Sequence, residues 1–97
     1  MTKLLQIVEQ SAAVAKVAAW NDRHYVNLEG FNARANGDRS SKIWIKGDVL
    51  TIEGGKGNHS PTFLASLETL KADLVAGGAV RASYADYAVE ATYTLAS

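Results

Sequence analysis

Two histidines, His24 and His59, are the first residues to consider for acid–base or metal chemistry. They do not have the spacing of a helical two-histidine metal site, and the chain has no cysteine to supply a thiolate. Ser60 follows His59 directly, but residues adjacent in sequence rarely reach the hydrogen-bonding geometry of a nucleophile and its base. We therefore predict no catalytic residue, no metal and no cofactor, and we expect a protein that is not an enzyme.

A glycine-rich segment, Gly54-Gly55-Lys56-Gly57, precedes a helix start and resembles a phosphate-binding turn in composition. It lacks the glycine spacing of a P-loop, and glycine follows Lys56 where a serine or threonine would bind magnesium. The segment is therefore interpreted as a flexible connector.

The middle of the chain interleaves aromatic with basic residues, which are Tyr25, Phe31, Arg34, Arg39, Lys42, Trp44 and Lys46. On a sheet, such a set resembles a stacking platform for single-stranded nucleic acid, and it also has the composition of protein-binding hot spots. Four carboxylates dilute its charge: Glu29, Asp38, Asp48 and Glu53. The alternative is that a C-terminal helix covers this face, and we favour burial of Trp44 because large aromatic side chains are usually well buried.

A hairpin is predicted over residues 42–53, where polar and apolar residues alternate on both sides of Gly47-Asp48. A two-residue loop with glycine fixes the register, so Ile45 should face Leu50 and Lys42 should face Glu53.

A preceding hairpin is predicted at Asn36-Gly37, with Leu28 opposite Ile45 and Gly30 opposite Ile43. The two hairpins agree on the faces of their shared strand, and together they place six aliphatic residues on one face, namely Val26, Leu28, Ile43, Ile45, Leu50 and Ile52. The tip at residues 33–41 is polar enough to form a longer loop, which would change the turn and not the face.

Helices are predicted on both sides of these strands. The first begins at Thr2 and runs to about Trp20, with an alanine-rich apolar face. The second is capped by Ser60-Pro61 and ends at Gly77-Gly78, and its buried stripe is Phe63, Leu67, Leu70 and Leu74. Residues 79–97 are assigned to a third helix from their recurrent alanine, although residues 89–95 also alternate like a strand.

The predicted fold is thus one α+β domain over residues 1–97, a three-stranded antiparallel meander flanked by helices in the order α-β-β-β-α-α. The 10 basic and 10 acidic residues cancel, which argues against polyanion binding as the main activity and against an acidic DNA mimic. Polar residues interrupt the apolar N-terminal stretch, and no run has the length of a membrane span. We expect a cytoplasmic protein with no membrane partner.

In its short cysteine-free chain, its helices flanking a meander and its lack of a catalytic set, the sequence resembles small phage-encoded inhibitors of the anti-CRISPR kind. That resemblance implies a stoichiometric protein-binding module that inhibits a host defence (CRISPR-Cas) complex. The expected partner-binding residues are Arg34, Asn36, Arg39, Lys42, Trp44, Lys46, Lys56 and Asn58. Two alternatives stay open: single-stranded nucleic-acid binding through the aromatic and basic sheet face, and a structural phage protein that oligomerises through a strand edge or the last helix.

Overall fold

A computed structural model describes residues 2–54, 57–82 and 89–95. The elements are α1 (Lys3–Gln10), β1 (Val14–Trp20), β2 (Arg23–Leu28), α2 (Asn36–Ser40), β3 (Lys42–Lys46), β4 (Val49–Glu53), α3 (Pro61–Ala76), β5 (Val80–Arg81) and β6 (Val89–Thr94). The strands form one antiparallel sheet in the order β1-β2-β3-β4-β6-β5. The chain is an α+β protein, but the predicted three-stranded meander is wrong because this sheet has six strands.

The first additional strand replaces the second half of the predicted N-terminal helix. Thr2 caps α1 as predicted, accepting a hydrogen bond from the backbone N–H of Leu5 at 3.2 Å. The helix ends at Gln10 and not near Trp20, because Ser11 turns the chain. The Ser11 hydroxyl donates to Asp73 on α3 at 2.6 Å and accepts from the N–H of Ala13 at 3.2 Å. One tertiary contact and one local turn contact thereby override the helix propensity of the alanines that follow.

The first hairpin turns at Asn21-Asp22 and not at the predicted Asn36-Gly37. Asn21 has a φ of 54°, and a positive φ at the first central residue alone is typical of a type II′ turn. Asn36 instead begins α2. His24, not Leu28, lies opposite Ile45, so the register differs by an even number of residues and leaves the side chains of β2 on their predicted faces. Phe31, predicted for the aromatic and basic face, lies beyond the end of β2 and lines a pocket with Val26 and Phe63 instead.

The second hairpin is confirmed in turn and register. Ile45 pairs with Leu50, Lys42 pairs with Glu53, and Gly47 has a φ of 59° in the two-residue loop. All six residues predicted for the aliphatic face are buried, with at most 5% of their surface exposed.

The predicted C-terminal helix is wrong within the described residues, because this part of the chain forms β5 and β6. Strand β6 lies between β4 and β5, with Ala91 and Tyr93 buried on the same side as the aliphatic residues. Alternating threonine and tyrosine therefore outweigh the alanine content. Residues 83–88 and 96–97 of the predicted helix lie outside the described residues.

The core lies between the sheet and the two longer helices. Leu4, Leu5 and Val8 of α1 are buried with the predicted stripe of α3, which is Phe63, Leu67, Leu70 and Leu74. Ser60 caps α3 and Pro61 is its first residue, both as predicted. We call the sheet side that these helices cover the inner face and the opposite side the outer face.

Two glycines with positive φ provide a matched test of how tightly the loops pack. An added Cβ would lie 2.6 Å from the carbonyl oxygen of Thr62 at Gly30, whereas at Gly47 it would meet no atom within 4 Å. Gly47→Ala should therefore lower the free energy of unfolding by about 1–2 kcal/mol, which is the cost of holding alanine in a left-handed backbone conformation. Gly30→Ala should lower it by roughly 1–3 kcal/mol more, because the added methyl group would be overpacked against the backbone of Thr62. Urea denaturation measures both, and equal losses would show that the Gly30–Thr62 approach does not constrain the fold.

Candidate binding face on the outer side of the sheet

The outer face of β1–β4 is assigned from the strand registers, because paired residues point to the same side of a sheet. It carries Lys16, Ala18, Trp20, Arg23, Tyr25, Asn27, Lys42, Trp44, Lys46, Val49, Thr51 and Glu53. Since α1 and α3 contribute their apolar stripes to the inner face, neither covers this surface.

Aromatic and cationic side chains contact one another at the centre of the outer face. The guanidinium carbon of Arg23 lies 4.9 Å from the centre of the Trp44 ring, which is the geometry of a cation–π contact. The Tyr25 and Trp44 ring centres are 6.4 Å apart with planes tilted by 51°. Trp20 pairs with Arg23 across the first hairpin and is 66% exposed. We call Trp20, Arg23, Tyr25, Trp44 and Lys46 the aromatic–cationic face.

The charge on this side of the sheet is positive and only partly neutralised. The Lys46 ammonium lies 3.1 Å from the Asp22 carboxylate, and both side chains are more than half exposed. The hydrogen bond from Lys46 is the main cause that lowers the pKa of Asp22 below its ordinary value. Lys42 faces Glu53 in the strand pair. Three cations of this face, Lys16, Arg23 and Lys42, form no ion pair within the described residues.

Trp44 is half-buried, and its packing partners are Arg23 and Tyr25. The expected cover, a C-terminal helix, is replaced in the described residues by β6 in the plane of the sheet.

The predicted partner-binding residues divide into two groups. Lys42, Trp44 and Lys46 lie together on the outer face of β3. Arg34, Asn36, Arg39 and Asn58 belong to α2 and the loops beside it, while Lys56 lies outside the described residues.

The second group is held by short local contacts. The guanidinium of Arg39 donates to the side-chain oxygen of Asn36. The backbone N–H of Gly37 donates to the carbonyl of Asn58 at 2.9 Å, which joins α2 to the loop before α3.

Four outer-face residues are not predicted from the sequence: Lys16, Ala18, Trp20 and Arg23. They fall in the predicted N-terminal helix or directly after it, so the sequence pattern does not place them on a sheet face. Asn21-Asp22 was the available signal, because turn residues there are flanked by β-favouring Val17, Trp20, Tyr25 and Val26.

A second missed feature is the carboxylate of Asp38, which was expected on the surface but is fully buried. It accepts hydrogen bonds from the Ser60 hydroxyl at 2.5 Å, the Ser60 N–H at 3.0 Å and the Asn32 N–H at 3.0 Å. His59 Nδ1 lies 3.3 Å away, and its ring stacks on Phe63 at 5.4 Å. Asp38 therefore ties α2 and the loop after β2 to the N-terminus of α3.

The Asp38–His59 pair does not assemble into a serine-type catalytic site. The Ser60 hydroxyl lies within hydrogen-bonding distance of Asp38, the Gly30 carbonyl at 3.3 Å and the Thr62 hydroxyl at 3.2 Å, while it accepts from the Phe63 N–H as the helix cap. A nucleophile would need its hydrogen bond to the imidazole instead. Burial by itself raises the pKa of Asp38, but the hydrogen bonds from Ser60, Asn32 and His59 outweigh it and lower that pKa below its ordinary value.

Comparison with protein-family models, with curated proteins and with solved structures finds no match to this chain. Within residues 2–54, 57–82 and 89–95, no cluster of three or more histidine or carboxylate side chains is placed to hold a metal ion. None of the helices in this part of the chain has the length and apolarity needed to cross a bilayer.

Asp38 offers a test of the buried anchor. Asp38→Asn keeps the side-chain shape but replaces an acceptor of charge-assisted hydrogen bonds by a neutral amide, so we expect the free energy of unfolding to fall by about 2–3 kcal/mol. Asp22→Asn is the matched control, since its carboxylate is exposed and paired only with Lys46. Thermal and urea unfolding measure both variants. If both variants lost a similarly small part of the free energy of unfolding, the anchoring role of Asp38 would be contradicted.

The same carboxylate predicts an acid dependence of stability. Because its pKa is lowered by folding, the folded state binds this proton less readily than the unfolded state, so the stabilisation is complete well above pH 3.8 and is lost as pH falls through the folded-state pKa. Urea midpoints measured between pH 6 and about pH 3 should fall more steeply for the natural chain than for Asp38→Asn. Parallel pH profiles would count against Asp38 as the titrating group.

Proposed function

We propose that this chain is a non-enzymatic protein-binding module that contacts a partner through the aromatic–cationic face. The observation that carries the proposal is Trp20, which is two-thirds exposed beside Arg23 on a hydrogen-bonded hairpin. Tryptophan, tyrosine and arginine are the residues that dominate protein-binding hot spots, and a sheet presents them at little entropic cost.

The charged residues on the outer face indicate which kind of partner surface would complement it. Lys16 and Arg23 form no described ion pair, and the Lys46–Asp22 pair is open to solvent and weak. An acidic patch with an apolar centre would complement this arrangement, because rim charges steer association while the aromatic centre supplies affinity.

The neutral total charge favours a protein partner over a nucleic acid. Trp44 already packs against Arg23 and Tyr25, so Trp20 is the one aromatic residue of this face with most of its surface exposed. A nucleic-acid platform usually stacks successive bases on several open rings.

The partner class that we propose is a host defence complex, which follows from the resemblance to phage-encoded inhibitors of the anti-CRISPR kind. Inhibition would then be stoichiometric and would take place in the cytoplasm of the host cell. The loop residues Arg34, Asn36, Arg39, Lys56 and Asn58 are proposed as a second contact region that adds specificity.

The decisive experiment compares affinity capture by face variants. Trp20→Ala and Arg23→Ala should each weaken retention of the partner about tenfold or more, as expected for hot-spot residues. Val75→Ala is the control, since Val75 is 59% exposed on α3, away from the outer face. Arg34→Ala tests the loop region separately. A partner retained equally by Trp20→Ala, Arg23→Ala and the natural chain would refute the aromatic–cationic face as the contact surface.

Single-stranded nucleic-acid binding is the second candidate, favoured by the exposed Trp20 beside Arg23 and Lys16. It predicts that single-stranded DNA or RNA quenches tryptophan fluorescence and that added salt relieves the quenching. Trp20→Phe should remove most of the signal, because Trp44 is half-buried. If oligonucleotides produce no change at low salt while protein capture succeeds, this candidate is excluded.

A further inference from the structure

Strand β1 lies at the edge of the sheet, and within the described residues it pairs only with β2. The opposite edge is the two-residue strand β5, whereas β1 has seven residues. A long edge strand presents a row of N–H and C=O groups that can pair with another strand. A bulge at Ala15 disturbs only the start of β1, and the registers from Lys16 to Trp20 are regular.

The hairpin turn determines which backbone groups face the free edge. Trp20 and Arg23 flank a two-residue loop, so they form a hydrogen-bonded pair in the antiparallel ladder. Hydrogen-bonded and non-hydrogen-bonded pairs alternate along such a ladder. Ala19 and Val17 therefore direct their N–H and C=O groups away from β2 and towards the free edge.

The free edge is also sterically open. A groove of about 360 Å³ runs beside β1, lined by Glu9, Val14, Ala15, Lys16, Val17, Ala19 and His24. Ala15, Ala18 and Ala19 are small, so an adjacent strand can approach without displacing a bulky side chain.

We propose that β1 pairs with β1 of a second copy of this chain, in antiparallel orientation, with a two-fold axis at Ala18. In this register Val17 faces Ala19 of the other copy. Both residues have edge-directed backbone groups, so each such pair forms two hydrogen bonds and the two-fold axis repeats it. The two six-stranded sheets then form one continuous sheet.

Side-chain chemistry selects this register. Lys16 lies opposite Trp20 of the other copy on the outer face, and the two-fold axis produces that pair twice. An ammonium near a tryptophan ring is a favourable contact, and Lys16 has no described ion pair to lose. A two-fold axis at Val17 or at Ala19 would also align edge-directed groups, but it would place Lys16 or Trp20 opposite alanine.

The same self-complementarity makes a second copy the occupant and not an unrelated extended peptide. One strand supplies both the cation and the ring, both in the regular part of β1. Four backbone hydrogen bonds and two lysine–tryptophan pairs form a small interface, so the dissociation constant should be micromolar or weaker.

A single-cysteine scan tests the register, and the absence of natural cysteine makes it unambiguous. With the axis at Ala18, the two Ala18→Cys residues face each other at about 4.5 Å between Cα atoms, which permits a disulfide. Lys16→Cys is the matched control on the same strand and face, because its two copies would be about 14 Å apart. Under oxidised glutathione, Ala18→Cys should form covalent dimer and Lys16→Cys should not. Preferential cross-linking of Val17→Cys or Ala19→Cys would refute this register.

A proline variant tests the use of the edge. Val17→Pro removes an N–H that faces the free edge, so it should preserve the β1–β2 ladder and weaken self-association about tenfold or more in sedimentation equilibrium. Circular dichroism and thermal unfolding report whether this variant keeps its fold. If it unfolds, Lys16→Glu replaces it, since loss of both lysine–tryptophan pairs should also weaken the dimer. A natural chain that stays monomeric at millimolar concentration would overturn the proposal.

Discussion

Burial of one side of the sheet beneath α1 and α3 is the constraint on which the rest of the structure depends. Leu50 and Ile52 of β4 and Leu70 and Leu74 of α3 are almost completely shielded from water. Each such side chain contributes about 1.5–3 kcal/mol by leaving solvent, which fixes the faces of the strands more firmly than any turn does. Since the apolar helix stripes are used on the inner face, the outer face remains available for aromatic and charged residues.

At one end of the sheet, Asp38 holds neighbouring elements together through polar contacts. It lies in α2, a helix of five residues that supplies little stability of its own, and it receives hydrogen bonds from Ser60 and Asn32. One buried carboxylate thereby accepts hydrogen bonds from both the capping residue of α3 and the loop after β2. In the described residues, no buried side-chain nitrogen or oxygen lacks a hydrogen-bond partner.

The sequence predicts those parts of the fold whose signals are local and agree with one another. Gly47-Asp48 and the alternation around it determine β3 and β4, and Ser60-Pro61 determines the start of α3. The local pattern of alanine-rich β1 predicts a helix and is wrong, because the conformation of this segment depends on tertiary contacts, such as the bond from Ser11 to Asp73, which no local pattern contains. The positions of Lys42, Trp44 and Lys46 on the outer face follow from the predicted strand β3, whereas Trp20 lies in the unpredicted strand β1 and Arg23 follows the unpredicted turn at Asn21-Asp22. The burial of Asp38 arises from contacts between distant residues and has no sequence signature.

The position of β6 between β4 and β5 governs the order in which the sheet can be built. Strands β1 to β4 each pair with a neighbour in sequence, whereas Val49 of β4 pairs with Thr94 of β6. Because this pairing has the highest contact order in the sheet, we expect it to form last. Until β6 has been translated, β4 is an unprotected sheet edge beside an aliphatic surface. A nascent chain at that stage would be vulnerable to aggregation, and pairing of β6 with β4 is the step that removes this hazard.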